Sequence, residues 1–129
     1  MVKKALPVII IAIILLALAI VDIVYVSNFI DDINNEVGAL VTMYEENEDD
    51  ITVIIPQLDK VQNKWKKNET ILCFIYNHRD ISLITDSLSK LSSYTRVNDY
   101  EDAYTEVRLL KEYTEKSPRI MNFNIHNVL

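Results

Sequence analysis

Cys73, His78 and Asp80 stand close together inside the stretch Trp65 to Asp80, which reads WKKNETILCFIYNHRD. A thiol, an imidazole and a carboxylate within eight residues could form a nucleophile with its base and orienter, or contribute ligands to a metal ion. Helical geometry argues against both. At 3.6 residues per turn, Cys73 and His78 stand about 140° apart around a helix axis and His78 and Asp80 about 200° apart, so they cannot converge on one helix face. His126 is the other histidine, and one cysteine with two scattered histidines lacks metal-ligand spacing. His78 sits one turn from Ile75 and one from Ile81, beside an apolar stripe, and reads as a packed residue with one ring nitrogen hydrogen-bonded. Trp65 lies on that stripe as a core residue or a partner-contact anchor. Trp65, His78 and Tyr44 are thus candidate core or contact anchors, and no catalytic, cofactor-binding or metal-binding residue is expected.

The elements that would position such residues are constrained by composition. Gly38 is the only glycine, which excludes phosphate-cradling loops, dinucleotide-binding turns and the nucleophile elbow, all of which need several glycines. Scarce Gly and Pro point to long helices. The single cysteine cannot close an intramolecular disulfide, so packing must hold the fold. Residues 22–129 carry eleven basic and nineteen acidic side chains, a net charge of −8, which disfavours nucleic acid as a partner. Lys60, Lys64, Lys66 and Lys67 form a local basic patch that reads as a solvated helix face.

The N-terminus has a different character. Lys3 and Lys4 precede seventeen uncharged residues, Ala5 to Val21, and the apolar segment continues to Val26 with Asp22 as its one interruption. At 1.5 Å per residue this length matches a hydrocarbon core of roughly 30 Å. Asp22 falls near the far end, within reach of the headgroups. Pro7 is expected in the first helical turn, where a missing N–H costs little. Ala17-Leu18-Ala19 also fits a signal-peptide cleavage site, but the apolar run continues past it, which favours an uncleaved anchor over a secreted product. Lysines before the span and acids after it place residues 1–26 as a membrane anchor with a cytoplasmic N-terminus, and residues 27–129 as an exported domain.

Beyond the span, Val26, Ile30, Ile33, Val37, Leu40 and Tyr44 recur at spacings of four and three, so the anchor helix continues outward with one apolar stripe. Glu45 to Asp50 holds five acids in six residues but lacks the glycine and spacing of a helix-loop-helix calcium site. It reads as a turn with Asp49 or Asp50 capping the next helix. Further stripes follow at Ile54, Leu58, Val61, Trp65, Leu72 and Ile75, and at Ile81, Ile84, Leu88 and Leu91. Pro56 should kink the first of these helices or delay its start. Asp99 caps a last helix carrying Ala103, Val107 and Leu110, and Ser117-Pro118 is expected to start a short C-terminal turn. The fold class is therefore all-α: an N-terminal transmembrane helix continuing into an antiparallel bundle of three to four helices. The outward stripe also fits a short coiled coil. Asn68-Glu69-Thr70 matches a glycosylation sequon that would clash with a packed helix.

The succession of a short membrane anchor, Asp50, Leu58, Val61 and Trp65, then Leu72 and Ile75 before His78, then Asp80-Ile81, Ile84, Leu88, Leu91 and Asp99, closing in Asn127-Val128-Leu129, resembles a bacterial family. That family comprises small membrane-anchored proteins catalogued as domain of unknown function 4363. The resemblance covers nearly the whole chain. It departs at Ile51, where the family pattern has an aromatic residue, and at Pro56. It implies an exported helical domain on one anchor and supplies no catalytic residue.

The functional expectation is a non-enzymatic, single-pass protein of the cell membrane whose extracytoplasmic bundle docks on another membrane or envelope protein or on itself. The alternative is an extracytoplasmic small-molecule-binding or sensory domain acting through a partner. The lipid bilayer is the one partner common to both, and no cofactor is expected.

Overall fold

The computed structural model describes residues 2–128, with side chains for all of these except residues 2, 75 and 117–128. Four helices account for nearly all of it: α1 (Val2–Glu46), α2 (Ile55–Ile75), α3 (His78–Arg96) and α4 (Tyr100–Val128). A 3-10 turn, Ile51–Ile54, joins α1 to α2. No strand occurs among the described residues, and the chain is all-α.

Each boundary has a local cause. α1 carries no basic residue in its last turn, where acids oppose the helix dipole, and Asn47 stops it by donating both its amide N–H and its side-chain Nδ2 to the Met43 carbonyl (3.1 and 2.7 Å). Asp50 then caps the 3-10 turn by accepting from the Thr52 N–H at 3.1 Å. Pro56, in the first turn of α2, sets where that helix can begin and delays it to Ile55. α3 ends in a left-handed cap at Asn98 (φ 56°), with the Asp99 N–H reaching the Tyr94 carbonyl at 2.9 Å. The Asn98 Oδ1 also accepts from the Ile51 N–H at 3.0 Å, which ties the two connections at this end together. Asp99 caps α4, its carbonyl accepting from the Ala103 N–H at 3.0 Å.

The helices run up, down, up, down. Lys64 pairs with Glu36 at 3.1 Å, Arg96 with Asp59 at 2.7 Å, and Tyr104 Oη donates to Glu45 at 2.8 Å, so each helix is antiparallel to its neighbours. α1 packs on α2 and α4, and α3 packs on the same two from the other side. The core draws the predicted stripes inward: Val26, Ile30, Ile33, Val37, Leu40 and Tyr44 from α1, then Leu58, Val61, Trp65 and Leu72 from α2. Ile81, Ile84, Leu88 and Leu91 from α3 meet Ala103, Val107 and Leu110 from α4. Ile51 and Ile54 plug the end beneath the 3-10 turn. Burying a large aliphatic side chain is worth about 1.5–3 kcal/mol, so these one-sided stripes dictate the bundle.

Residues 3–25 of α1 are exposed throughout, and the first buried side chain is Val26. This stretch makes α1 a candidate membrane span, with a mean hydropathy of 3.1 over its most apolar window.

Two expectations about prolines fail. Pro7 lies in the second turn of α1, not the first, because the helix already starts at Val2. Ser117-Pro118 begins no new helix, since α4 passes through it to Val128. A proline deletes one ladder donor and crowds one carbonyl, a local cost that an already propagating helix can absorb. His126 and the Asn127-Val128-Leu129 ending lie outside the described side chains.

Candidate functional site

The stretch Trp65 to Asp80 does not form one helix. α2 stops at Ile75, Tyr76 adopts an extended backbone (φ −100°, ψ 163°), and Asn77 caps α3 by accepting from the Arg79 N–H at 3.0 Å. Cys73 and His78 therefore stand on different helices, and the angular argument that separated them on a single helix does not apply. The thiol is half-buried on α2, whereas His78 is exposed as the first residue of α3. His78 is not a core residue, because it belongs to the solvent-facing start of α3 rather than to the stripe of α2. The break was signalled by Asn77 with an acid, Asp80, three residues later, an N-terminal capping pattern.

Trp65 and Tyr44 occupy the interior. The Trp65 ring stacks on Phe29 with centroids 6.2 Å apart, and its Nε1 donates to Thr85 Oγ1 at 2.9 Å. The Thr85 hydroxyl in turn donates to Glu69 Oε1 at 3.1 Å, so an indole, a hydroxyl and a carboxylate join α2 to α3. Tyr44 Oη lies 2.6 Å from Thr95 Oγ1, whose own hydrogen reaches the Leu91 carbonyl at 2.7 Å, leaving Tyr44 as the donor of the first bond. Burial pushes the Tyr44 phenol up to about 12. Tyr76 is also pushed up to about 12, by burial and then by the negative charge of Asp31, and its hydroxyl has no hydrogen-bond partner. The Trp65–Thr85 and Tyr44–Thr95 bonds are polar ties in an apolar interior, each suited to fixing one helix against another.

A second polar cluster, which the sequence did not single out, joins α1 to α4. Lys111 Nζ donates to the Asn34 carbonyl and Oδ1 at 3.1 and 2.7 Å, and Asn34 Nδ2 donates to Thr114 Oγ1 at 2.9 Å. Gly38 lies beside it, where a Cβ would meet Lys111 Nζ and Cε at ordinary contact distances of 3.4 and 3.5 Å. Alongside lies an open groove of about 500 Å³, lined by Val41, Tyr104, Arg108, Leu109, Glu112 and Glu115 among others. The Arg108 guanidinium sits over the Tyr104 ring at 5.7 Å, and Tyr104 stacks on Tyr100 at 5.5 Å. Hydrogen bonding to Glu45 leads the effects that raise the Tyr104 phenol above its ordinary value. The signal for this groove was the face Tyr104, Arg108, Glu112 and Glu115, at i, i+4, i+8 and i+11 on one helix.

The basic patch disperses. Lys64 is committed to Glu36, while Lys60, Lys66 and Lys67 remain exposed. Asn68, the sequon residue, is half-buried, accepting from Tyr25 Oη at 3.0 Å and donating to the Lys64 carbonyl at 2.9 Å. Among the described residues no group of three or more His, Cys, Asp or Glu is placed to hold a metal ion.

A family model described as domain of unknown function (DUF4363) matches residues 20–128. The chain belongs to this family. The DUF4363 match takes in the four-helix body and the last residues of the apolar stretch, with the Trp65, Tyr44 and Lys111 networks inside its bounds. No curated protein and no solved structure matches the chain.

Proposed function

We propose that this DUF4363 protein is a membrane-tethered interaction module. In this reading α1 crosses the cytoplasmic membrane with its N-terminus in the cytoplasm, and the bundle, residues 27–129, stands outside and docks on another membrane or envelope protein or on a second copy. The supporting observation is the change within one unbroken helix: α1 is apolar and exposed over residues 5–21 and turns into a one-sided core helix at Val26. Lys3 and Lys4 before the span and the acidic body after it favour the stated orientation. The role is non-enzymatic in this proposal, which agrees with the use of Trp65, Thr85, Tyr44 and Thr95 as ties between helices.

Crosslinking of the full chain in intact cells, followed by solubilisation in detergent, tests the reading. A discrete adduct with one other protein, or a dimer, is expected; a chain that stays monomeric at every crosslinker density overturns it. Protease treatment of spheroplasts tests orientation, since the body should be digested from outside. Intact mass of the extracted protein distinguishes an anchored chain from one that has lost residues 1–19.

The groove beside Tyr104 and Arg108 favours a second reading, a small-molecule-binding or sensory domain that acts through a partner. Thermal shift of the full chain against a metabolite panel separates the two, because only a groove ligand raises the melting temperature at low concentration.

A further inference from the structure

The connection between α2 and α3 lies at the end of the body nearest the apolar stretch of α1. α2 descends antiparallel to α1, with Lys64 beside Glu36 and Asn68 bonded to Tyr25, itself at the edge of the exposed apolar segment. Past Asn68, α2 continues to Ile75, about 10 Å further in the direction of the span. On that last stretch Ile71 and Phe74 point outward three residues apart on one face, and Phe74 is 86% exposed. A phenylalanine so exposed is costly in water. Lys67, also exposed, lies on the same face one turn above Ile71 and two turns above Phe74. A cation above two apolar residues is the order in which a headgroup layer precedes acyl chains along the membrane normal. Tyr25 at the same level is the kind of residue that marks a membrane interface. Eight of the nineteen acids crowd the opposite end, in Glu45 to Asp50 and Asp99 to Asp102, while Asp22, Glu69 and Asp80 near the corner are accompanied by the basic residues Lys66, Lys67 and Arg79.

We propose that the α2–α3 corner is a second membrane contact: Ile71 and Phe74 embed in the outer interface of the bilayer that α1 crosses, with Lys67 among the lipid phosphates. This rests on the reading of α1 as a span. The bundle is then held against the membrane at two points and does not stand free on a single stalk.

The test uses the full chain in a Cys73→Ser background, with an environment-sensitive fluorophore on a single introduced cysteine. The label is placed at Thr70→Cys beside the corner, at Val97→Cys at the far end, or at Ile14→Cys within the apolar stretch. Each protein is reconstituted in vesicles of phosphatidylcholine with a minority of phosphatidylglycerol, with or without lipid carrying a nitroxide just below the headgroup for positions 70 and 97, or near the end of the acyl chain for position 14. Quenching of about twofold or more is expected at position 70, with none at 97, and Phe74→Asp should abolish it. Position 70 behaving like 97 while position 14 is quenched overturns the corner contact and leaves the anchor standing. Failure of quenching at 14 overturns the anchor and the corner together. Protection of position 70 only in native membranes, not in pure lipid, overturns the lipid assignment in favour of a protein partner. Phe74 packs little of its side chain, so its replacement should leave the melting temperature unchanged, and thermal unfolding of each variant checks this.

Discussion

The two halves of α1 have the same backbone and opposite surroundings. Up to Tyr25 every described side chain is exposed although nearly all are apolar; from Val26 to Tyr44 apolar and polar residues alternate at helical spacing and only the apolar ones are buried. The first half has the uniform apolarity that suits an apolar solvent on all sides, and the second has the narrow stripe that suits a partner on one side. A helix can thus pass between two environments without a break, provided its side-chain pattern changes where the environment does.

Truncating one residue that packs on the outer half and one within the inner half tests this contrast most strongly. Trp65→Ala, removing the ring that packs on Phe29 of the outer half, should lower the unfolding free energy of the detergent-solubilised chain by about 3–5 kcal/mol. Leu15→Ala, in the inner half, should leave unfolding of the body within about 0.5 kcal/mol of wild type. Denaturant titration followed by helical circular dichroism measures both. Next in size, Ile14→Arg should weaken membrane insertion by about 3 kcal/mol without moving the melting temperature of the body, as read by carbonate extraction and thermal unfolding.

Alkaline pH acts on the helical body rather than on the exposed apolar stretch. Tyr44 and Tyr76 are held neutral to about 12 in the folded state, against 10 in the unfolded chain, so the folded protein binds more protons between those values. The stability each contributes is intact below pH 10 and is lost as pH rises toward 12, on the order of 2 kcal/mol per phenol. Tyr44→Phe should remove its share of that alkaline loss, at a cost of about 1 kcal/mol at neutral pH for the missing hydrogen bond. The smallest effect has the opposite sign. Gly38→Ala should stabilise by about 0.5–1 kcal/mol through helix propensity, because the added methyl meets only the flexible end of Lys111 at ordinary contact distance.

Much of this fold could be read from apolar spacing, since a stripe at three and four residues states which face is buried whatever it is buried against. Ile30, Leu58, Ile84 and Val107 are interior for that reason. Caps with a local partner were legible too, as at Asp50 and Asp99. The break at Tyr76 was harder, because no glycine or proline marks it and apolar residues continue on both sides as Leu72, Ile75 and Ile81. A helix running on through Asp80 would put His78 beside the stripe as a packed residue, whereas it is exposed at the start of α3. The cluster of Asn34, Gly38, Lys111 and Thr114 was not legible: its two halves are more than seventy residues apart in the chain and meet only through the register of α1 on α4. The same holds for Trp65 with Thr85, where the indole announced a need for an acceptor but not which residue would supply it.

α1 is one piece of 45 residues, about 67 Å long. A rod with no hinge at the boundary transmits motion: leaning its inner end by 10° to suit a thinner bilayer would sweep the outer tip sideways by about 12 Å. With α1 anchored as proposed, lipid thickness would thereby set where the acidic end of the body points.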